Sequence, residues 1–109
     1  MPSYKAPVAD TQFVLNDVIR IADYAHLPGF ADATPDLIAA ILEEGAKFVE
    51  QVLQPLNQVG DEVGCTRHAD GSVSTPPGFK QAYQQFCAGG WMGLAVPTEF
   101  GGQGLPHVI

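Results

Sequence analysis

From Leu37 to Val59, apolar residues recur every three to four positions: Leu37, Ile38, Ile41, Leu42, Phe48, Val49, Val52, Leu53, Leu56 and Val59, with Gly45 in step. That period predicts a long helix with a wide apolar face. Thr34-Pro35-Asp36 supplies its start. Threonine can accept a backbone N–H, proline already has the φ of a first helical residue, and aspartate suits the positive end of the dipole. Ended near Gly60 or Gly64, the helix would span on the order of 40 Å at 1.5 Å per residue. Pro55 interrupts the run and cannot donate to a carbonyl four residues back, so a kink or division is expected there. Glu43 and Lys47 are placed to pair four residues apart on the other face.

An earlier helix is expected from Thr11 to about Tyr24, capped by Asp10, after an extended arm over 1–9 that contains Pro2 and Pro7. Its stripe would be Val14, Val18, Ile21, Ala22 and Ala25, widened by Phe13, Leu15 and Ile19. So broad a face suits a helix packed on more than one side. Residues 26–33 break the pattern at Pro28-Gly29. A third helix follows Thr75-Pro76-Pro77, carrying Phe79, Ala82, Tyr83, Phe86 and Cys87 on one face and ending at Gly89-Gly90. Before it, Asp70-Gly71 is a tight-turn pair that could join two short strands. After it, Gly93, Pro97, Gly101, Gly102, Gly104 and Pro106 leave little room for regular structure. Trp91, with Met92, Leu94 and Val96, reads as a plug between helices. Leu105 to Ile109 reads as a helix beginning, and a chain stopping there reads as cut.

Composition sharpens this reading. With 109 residues there is one domain's worth of chain, whose core hides roughly two-thirds of the unfolded surface. Hydrophobic residues make up 46%, which excludes a disordered tail. Charged residues make up 16%, against about 25% in ordinary globular chains, which fits equally surface meant for other protein and a lone domain with a bland Ala, Gln and Gly surface. Twelve acidic residues against five scattered basic ones give a net charge of −7. That balance argues against nucleic acid and against an electrostatic membrane anchor. No run approaches the roughly 18 apolar residues of a membrane span, and the first ten residues lack a secretory signal's apolar stretch. Cys65 and Cys87 are therefore expected as free thiols in a cytoplasmic protein, Cys87 buried on its helical face.

Few residues offer chemistry. Cys65 and His68 have the spacing of a metal-ligand pair, which His26, Cys87 or His107 could complete, but a structural zinc site normally shows two such pairs. Ordinary loop residues are the expectation. Nothing orients a base toward Cys87 as a nucleophile would require. Gly101-Gly102-Gln103-Gly104 lacks the Lys and Ser/Thr of a phosphate-binding loop and is expected to be a turn. Glu43 and Glu44 are helical neighbours and point apart. No catalytic, cofactor-binding or metal residue is assigned.

The stretch Gly89 to Pro106, GGWMGLAVPTEFGGQGLP, resembles the amino-terminal helical domain of the acyl-CoA dehydrogenases. The matching motifs are Gly90-Trp91 and Val96-Pro97-Thr98-Glu99-Phe100-Gly101-Gly102-Gln103-Gly104. Upstream, Tyr4-Lys5-Ala6-Pro7, Phe13 to Val18, Pro55-Leu56-Asn57, Gly60-Asp61, Gly71-Ser72-Val73 and Thr75 to Lys80 resemble, in order, a larger bacterial subfamily. That subfamily includes dehydrogenases of methylthio-propanoyl-CoA and of medium or long acyl-CoAs. The resemblance implies an all-α fold, a partial helical bundle, with residues 1–33 as an extension carrying the first helix. Residues 34–109 would be the family's amino-terminal helical domain, truncated at its carboxy-terminal end.

It further implies an FAD-dependent oxidoreductase of fatty acid metabolism, acting on acyl-CoA, passing electrons to an acceptor and forming a homo-oligomer. FAD, the catalytic glutamate and most acyl-pocket residues would lie outside 1–109, so this fragment would hold no FAD and be inactive alone. Glu99 belongs to the loop motif and is not that glutamate. Its helices would wall the acyl and flavin pocket. A stand-alone helical interaction module derived from the family, an oxidase, or another flavoprotein of the family are the alternatives.

Overall fold

The computed structural model describes residues 3–109; Pro2 lies outside them. Among the described residues the fold is all-α apart from one two-residue strand pair. Helix α1 spans Val8–Phe13 and runs into a π turn, Val14–Val18. Helix α2 spans Pro35–Phe48 and passes through a second π turn, Val49–Leu53, into α3, Gln54–Val63. Strands β1 (Thr66–Arg67) and β2 (Val73–Ser74) pair antiparallel, Thr66 opposite Ser74. Helix α4 spans Phe79–Ala88, and single 3-10 turns follow at Trp91–Gly93 and Thr98–Phe100.

The expected start of α2 is present. Thr34 Oγ1 accepts the Leu37 N–H at 3.2 Å, with Pro35 first in the helix. The expected division at Pro55 takes the form of the π turn just before it. There the Gln54 N–H reaches back five residues to the Val49 carbonyl, and the wider turn makes room for a ring that would crowd a regular one.

The first helix differs from expectation. It begins at Val8, with Pro7 at the cap position, so Asp10 sits in the first turn and does not cap. It is also broken. Arg20 takes a left-handed conformation at φ 58°, and a short 3-10 turn, Ile21–Tyr24, leaves in a new direction. The break swings Ile21 into the core, whereas a continuous helix would have buried Val14 and Val18. Both valines are exposed, and Leu15 is the buried residue instead. Lys47 also differs, pairing with Glu44 three residues back and not with Glu43. That pair holds the Lys47 ammonium above its ordinary pKa, with Glu43 adding a weaker pull.

The best-buried cluster joins Leu15, Ile21, Ala33 and Ile38, with Phe30, Leu42 and Ile109 packed around it. Residues on both sides of position 33 thus share one core. Leu105 to Ile109 form a single turn, Ile109 N–H on the Pro106 carbonyl, in place of an extended helix start.

The molecule is a slab of 57 × 36 × 17 Å with a radius of gyration of 17.6 Å. A compact domain of this length would have about 13 Å. Its accessible surface is 7682 Å², against roughly 5,800 Å² for a folded monomer of its mass. The surplus, about 1,800 Å², is some two faces of a standard protein–protein interface. Much of it is apolar: Phe13, Val18, Val63, Tyr83, Met92 and Phe100 are all more than half exposed.

Candidate functional site

The broad face of the slab carries a groove of ≈ 920 Å³ between α2 and the loop that follows α4. Leu37, Ile41, Phe48 and Val52 line it from the long helix, and Trp91 and Leu94 from the loop. Phe48 is the hinge of this arrangement. Its ring lies 6.2 Å from that of Phe86 and 6.5 Å from Trp91, the latter pair close to parallel at 26°. Gly45 leaves α2 flat where the indole lies, and a Cβ there would sit 3.6 Å from the Trp91 ring. Gly89 is tighter: a Cβ there would come 2.6 Å from Trp91 Nε1. Trp91, half-buried, therefore lies between the helices as expected, with Leu94 also half-buried, while Met92, two-thirds exposed, and Val96, also exposed, do not join it.

Polar groups border the groove without converging on a point. Gln51, Gln85 and Gln103 are neutral amides, and the charged side chains at its border, Asp32 and the Glu44–Lys47 pair, are solvent-exposed. An apolar surface edged by amides and by exposed charges can seat a hydrocarbon chain or another protein face.

The glycine-rich loop is a folded turn. Gly101, at φ 85°, closes the Thr98–Phe100 turn by donating to the Thr98 carbonyl. Gly102 donates to Pro97 O and Gly104 to Val96 O, while Gln103 and Leu105 donate to Gly93 O and Leu94 O. These donors are all spent within the loop, so none is left to cradle a phosphate. Gly102 is required by space: a Cβ there would lie 2.0 Å from the Val96 carbonyl oxygen. The loop thus folds back on Gly93–Val96 and fixes Leu94 and Leu105 at the edge of the groove.

The other residues considered for chemistry lie apart. His68 Nε2 bonds Ser74 Oγ at 2.6 Å across the strand pair, and Asp70 Oδ1 accepts from the Ser72 N–H and hydroxyl. These bonds from Ser72 hold the Asp70 carboxyl below its ordinary pKa. Among the described residues no three His, Cys, Asp or Glu side chains are grouped as metal ligands would be. Cys65 is a free exposed thiol. Cys87 is also free, but exposed, which corrects the expectation of a buried thiol. The α4 face it shares with Tyr83 turns outward, where the thiol raises the pKa of the Tyr83 phenol. Apolar periodicity grouped these two with Ala82, which is buried, and Phe86, which packs on Phe48, but the Tyr83–Cys87 edge of the face is exposed.

No family model matches the chain. The chain is 36% identical over 107 residues to the 3-methylmercaptopropionyl-CoA dehydrogenase of Ruegeria pomeroyi. Its likeness is to an acyl-CoA dehydrogenase. The alignment covers 98% of this chain but 18% of that enzyme. The likeness therefore extends over the amino-terminal arm, the broken first helix, the long helix and the glycine loop alike. It relates the whole fold to a fragment of a much larger protein. Among the described residues no helix is long and apolar enough to cross a membrane.

Proposed function

We propose that this chain is the amino-terminal helical part of a longer FAD-dependent acyl-CoA dehydrogenase, in which it serves as a wall. Residues 1–33 are an extension docked on the helical domain formed by 34–109. The surplus surface carries this reading: a slab 17 Å thick, whose buried aliphatic residues among those described are Leu15, Ile21, Ala33, Ile38, Ala82 and Leu105, with large apolar side chains exposed over it, is shaped to be covered. The similarity along 98% of the chain supplies the enzyme to which such a wall would belong.

On this reading the groove edge formed by Phe48, Trp91 and Leu94 lies against the remainder of the enzyme and helps keep water from the acyl-CoA and flavin. FAD would supply the redox chemistry of α,β-dehydrogenation. This chain's residues do not suit its phosphates, because the glycine-loop donors are internally bonded and the five Lys and Arg residues are scattered along the sequence. FAD binding is therefore assigned to the rest of the polypeptide, and catalysis with it. The larger protein would be a homo-oligomer acting in the cytoplasm on acyl-CoA, with an external electron acceptor. Expression of the complete reading frame should give a yellow protein that reduces an acceptor with an acyl-CoA thioester. A colourless and inert product would refute the reading and favour a helical interaction module.

A further inference from the structure

Glu50 occupies the second position of the Val49–Leu53 π turn, and both its oxygens reach the amino-terminal arm. Oε1 accepts the Ala6 backbone N–H at 2.9 Å, and Oε2 lies 3.3 Å from Lys5 Nζ. The Glu50 side chain is three-quarters buried by this contact, while that of Lys5 is 84% exposed. Elsewhere the arm sits loosely. Tyr4 is about half exposed, and a gap of ≈ 460 Å³ is bounded by Ser3 and Tyr4 above and by Val49, Leu53, Gln54 and Asn57 below. Firm anchorage resumes at Pro7. The Thr11 N–H and hydroxyl both bond the Pro7 carbonyl, and Leu15 enters the core.

We propose that residues 3–6 form a strap latched by Glu50, able to lift while the Pro7 carbonyl keeps its bonds to Thr11. Leu53 and Asn57 border the gap under the strap and also a cleft of ≈ 400 Å³ lined by Leu56, Phe79, Tyr83 and Phe86. Lifting the strap would uncover the apolar floor of the gap, formed by Val49 and Leu53. A carboxylate that accepts from both a backbone N–H and an ammonium is a stronger tie than either bond alone.

Amide hydrogen exchange of the intact protein tests the latch. In Glu50→Ala the Ala6 amide should exchange at least roughly tenfold faster, as loss of one charge-assisted hydrogen bond implies. The Ile19 amide, bonded to Val14 O beyond the strap, should keep its parent rate. Lys5→Ala truncates an exposed side chain that the fold does not need, and should raise Ala6 exchange by a smaller factor. Unchanged Ala6 exchange in Glu50→Ala would overturn the latch, as would a Lys5→Ala effect equal to that of Glu50→Ala. Joint acceleration of Ala6 and Ile19 would overturn a strap that moves alone.

Discussion

Trp91 lies nearly parallel to Phe48, centroids 6.5 Å apart, so the turn after α4 is fastened to the middle of a helix that began more than fifty residues earlier in the chain. This stack links the two halves of the groove. Because Trp91 is half-buried, Trp91→Ala should cost about 2–3 kcal/mol, below the range for a fully buried aromatic. Trp91→Phe should restore much of it. Urea denaturation with parallel fluorescence and circular dichroism measures both, and a loss under 1 kcal/mol for the alanine variant would mean that the stack does not hold the groove together.

Gly45, beside this stack, and Gly102, in the glycine loop, should respond differently to alanine. Gly102→Ala drives a methyl to 2.0 Å from the Val96 carbonyl oxygen, where backbone and not a movable side chain must yield. A loss of more than roughly 2 kcal/mol is expected, as for other overpacked sites. Gly45→Ala places its methyl at an ordinary 3.6 Å from the indole, inside a helix. There the reduced backbone freedom of alanine should leave stability unchanged or raise it by up to about 1 kcal/mol. Thermal melts of the two variants, compared with the parent, separate the cases.

Thr34 illustrates what local sequence settles. A threonine before Pro-Asp is enough to specify a helix start, and its hydroxyl does accept the Leu37 N–H. Thr34→Ala should cost about 1 kcal/mol, and Thr34→Ser much less; equal melting temperatures for all three proteins would show that the cap contributes nothing.

The long helix, its division at Pro55, the Asp70-Gly71 turn and the short α4 could all be read in the same local way, because each rests on chemistry within a few residues. The first helix could not. Its interruption at Arg20 is set by Ile21 meeting Ala33 and Ile38, a tertiary demand that overrides the helical spacing of Val14 and Val18. The groove was equally hidden, since Gln85 and Gln103 carry no pattern and meet Phe48 only in the folded chain. Glu50 gave no signal either, because its partners lie 44 and 45 residues away. Cys87 differs for another reason: Ala82 and Phe86 on its face are packed, but the edge it shares with Tyr83 is exposed among the described residues.

Acid should loosen the amino-terminal arm first. The Glu50 carboxyl lies below its ordinary pKa, mainly through the Ala6 N–H and then through Lys5. A group whose folded pKa is depressed stabilises the fold above its unfolded pKa, and that contribution fades as pH falls through the folded value. Protection of the Ala6 amide should accordingly be constant from neutrality to about pH 5 and decline below the usual carboxylate range near pH 4. In Glu50→Gln this decline should vanish, because no carboxylate remains at that position to titrate. An unchanged acid response in the glutamine variant would assign the effect to other groups.

The exposed apolar faces lead to the last expectation. A net charge of −7 opposes association of like chains, and three of the five basic side chains already pair internally: Lys5 with Glu50, Arg20 with Asp23 and Lys47 with Glu44. Against that stands a surplus of about 1,800 Å² of surface, at roughly 25 cal/mol per Å² for its apolar part. Repulsion between solvated charges is screened beyond about 10 Å at 0.1 M salt, whereas apolar contact is not. The isolated 1–109 polypeptide should therefore self-associate, more strongly as salt rises, with Phe13 and Val18 among the residues involved. Val18→Asp, at a position 62% exposed, should weaken association without lowering the melting temperature of the monomer. Sedimentation velocity across salt and protein concentration decides it. A compact monomer at high concentration and high salt would show that these faces need no cover, and would remove the main support for a wall awaiting the rest of an enzyme.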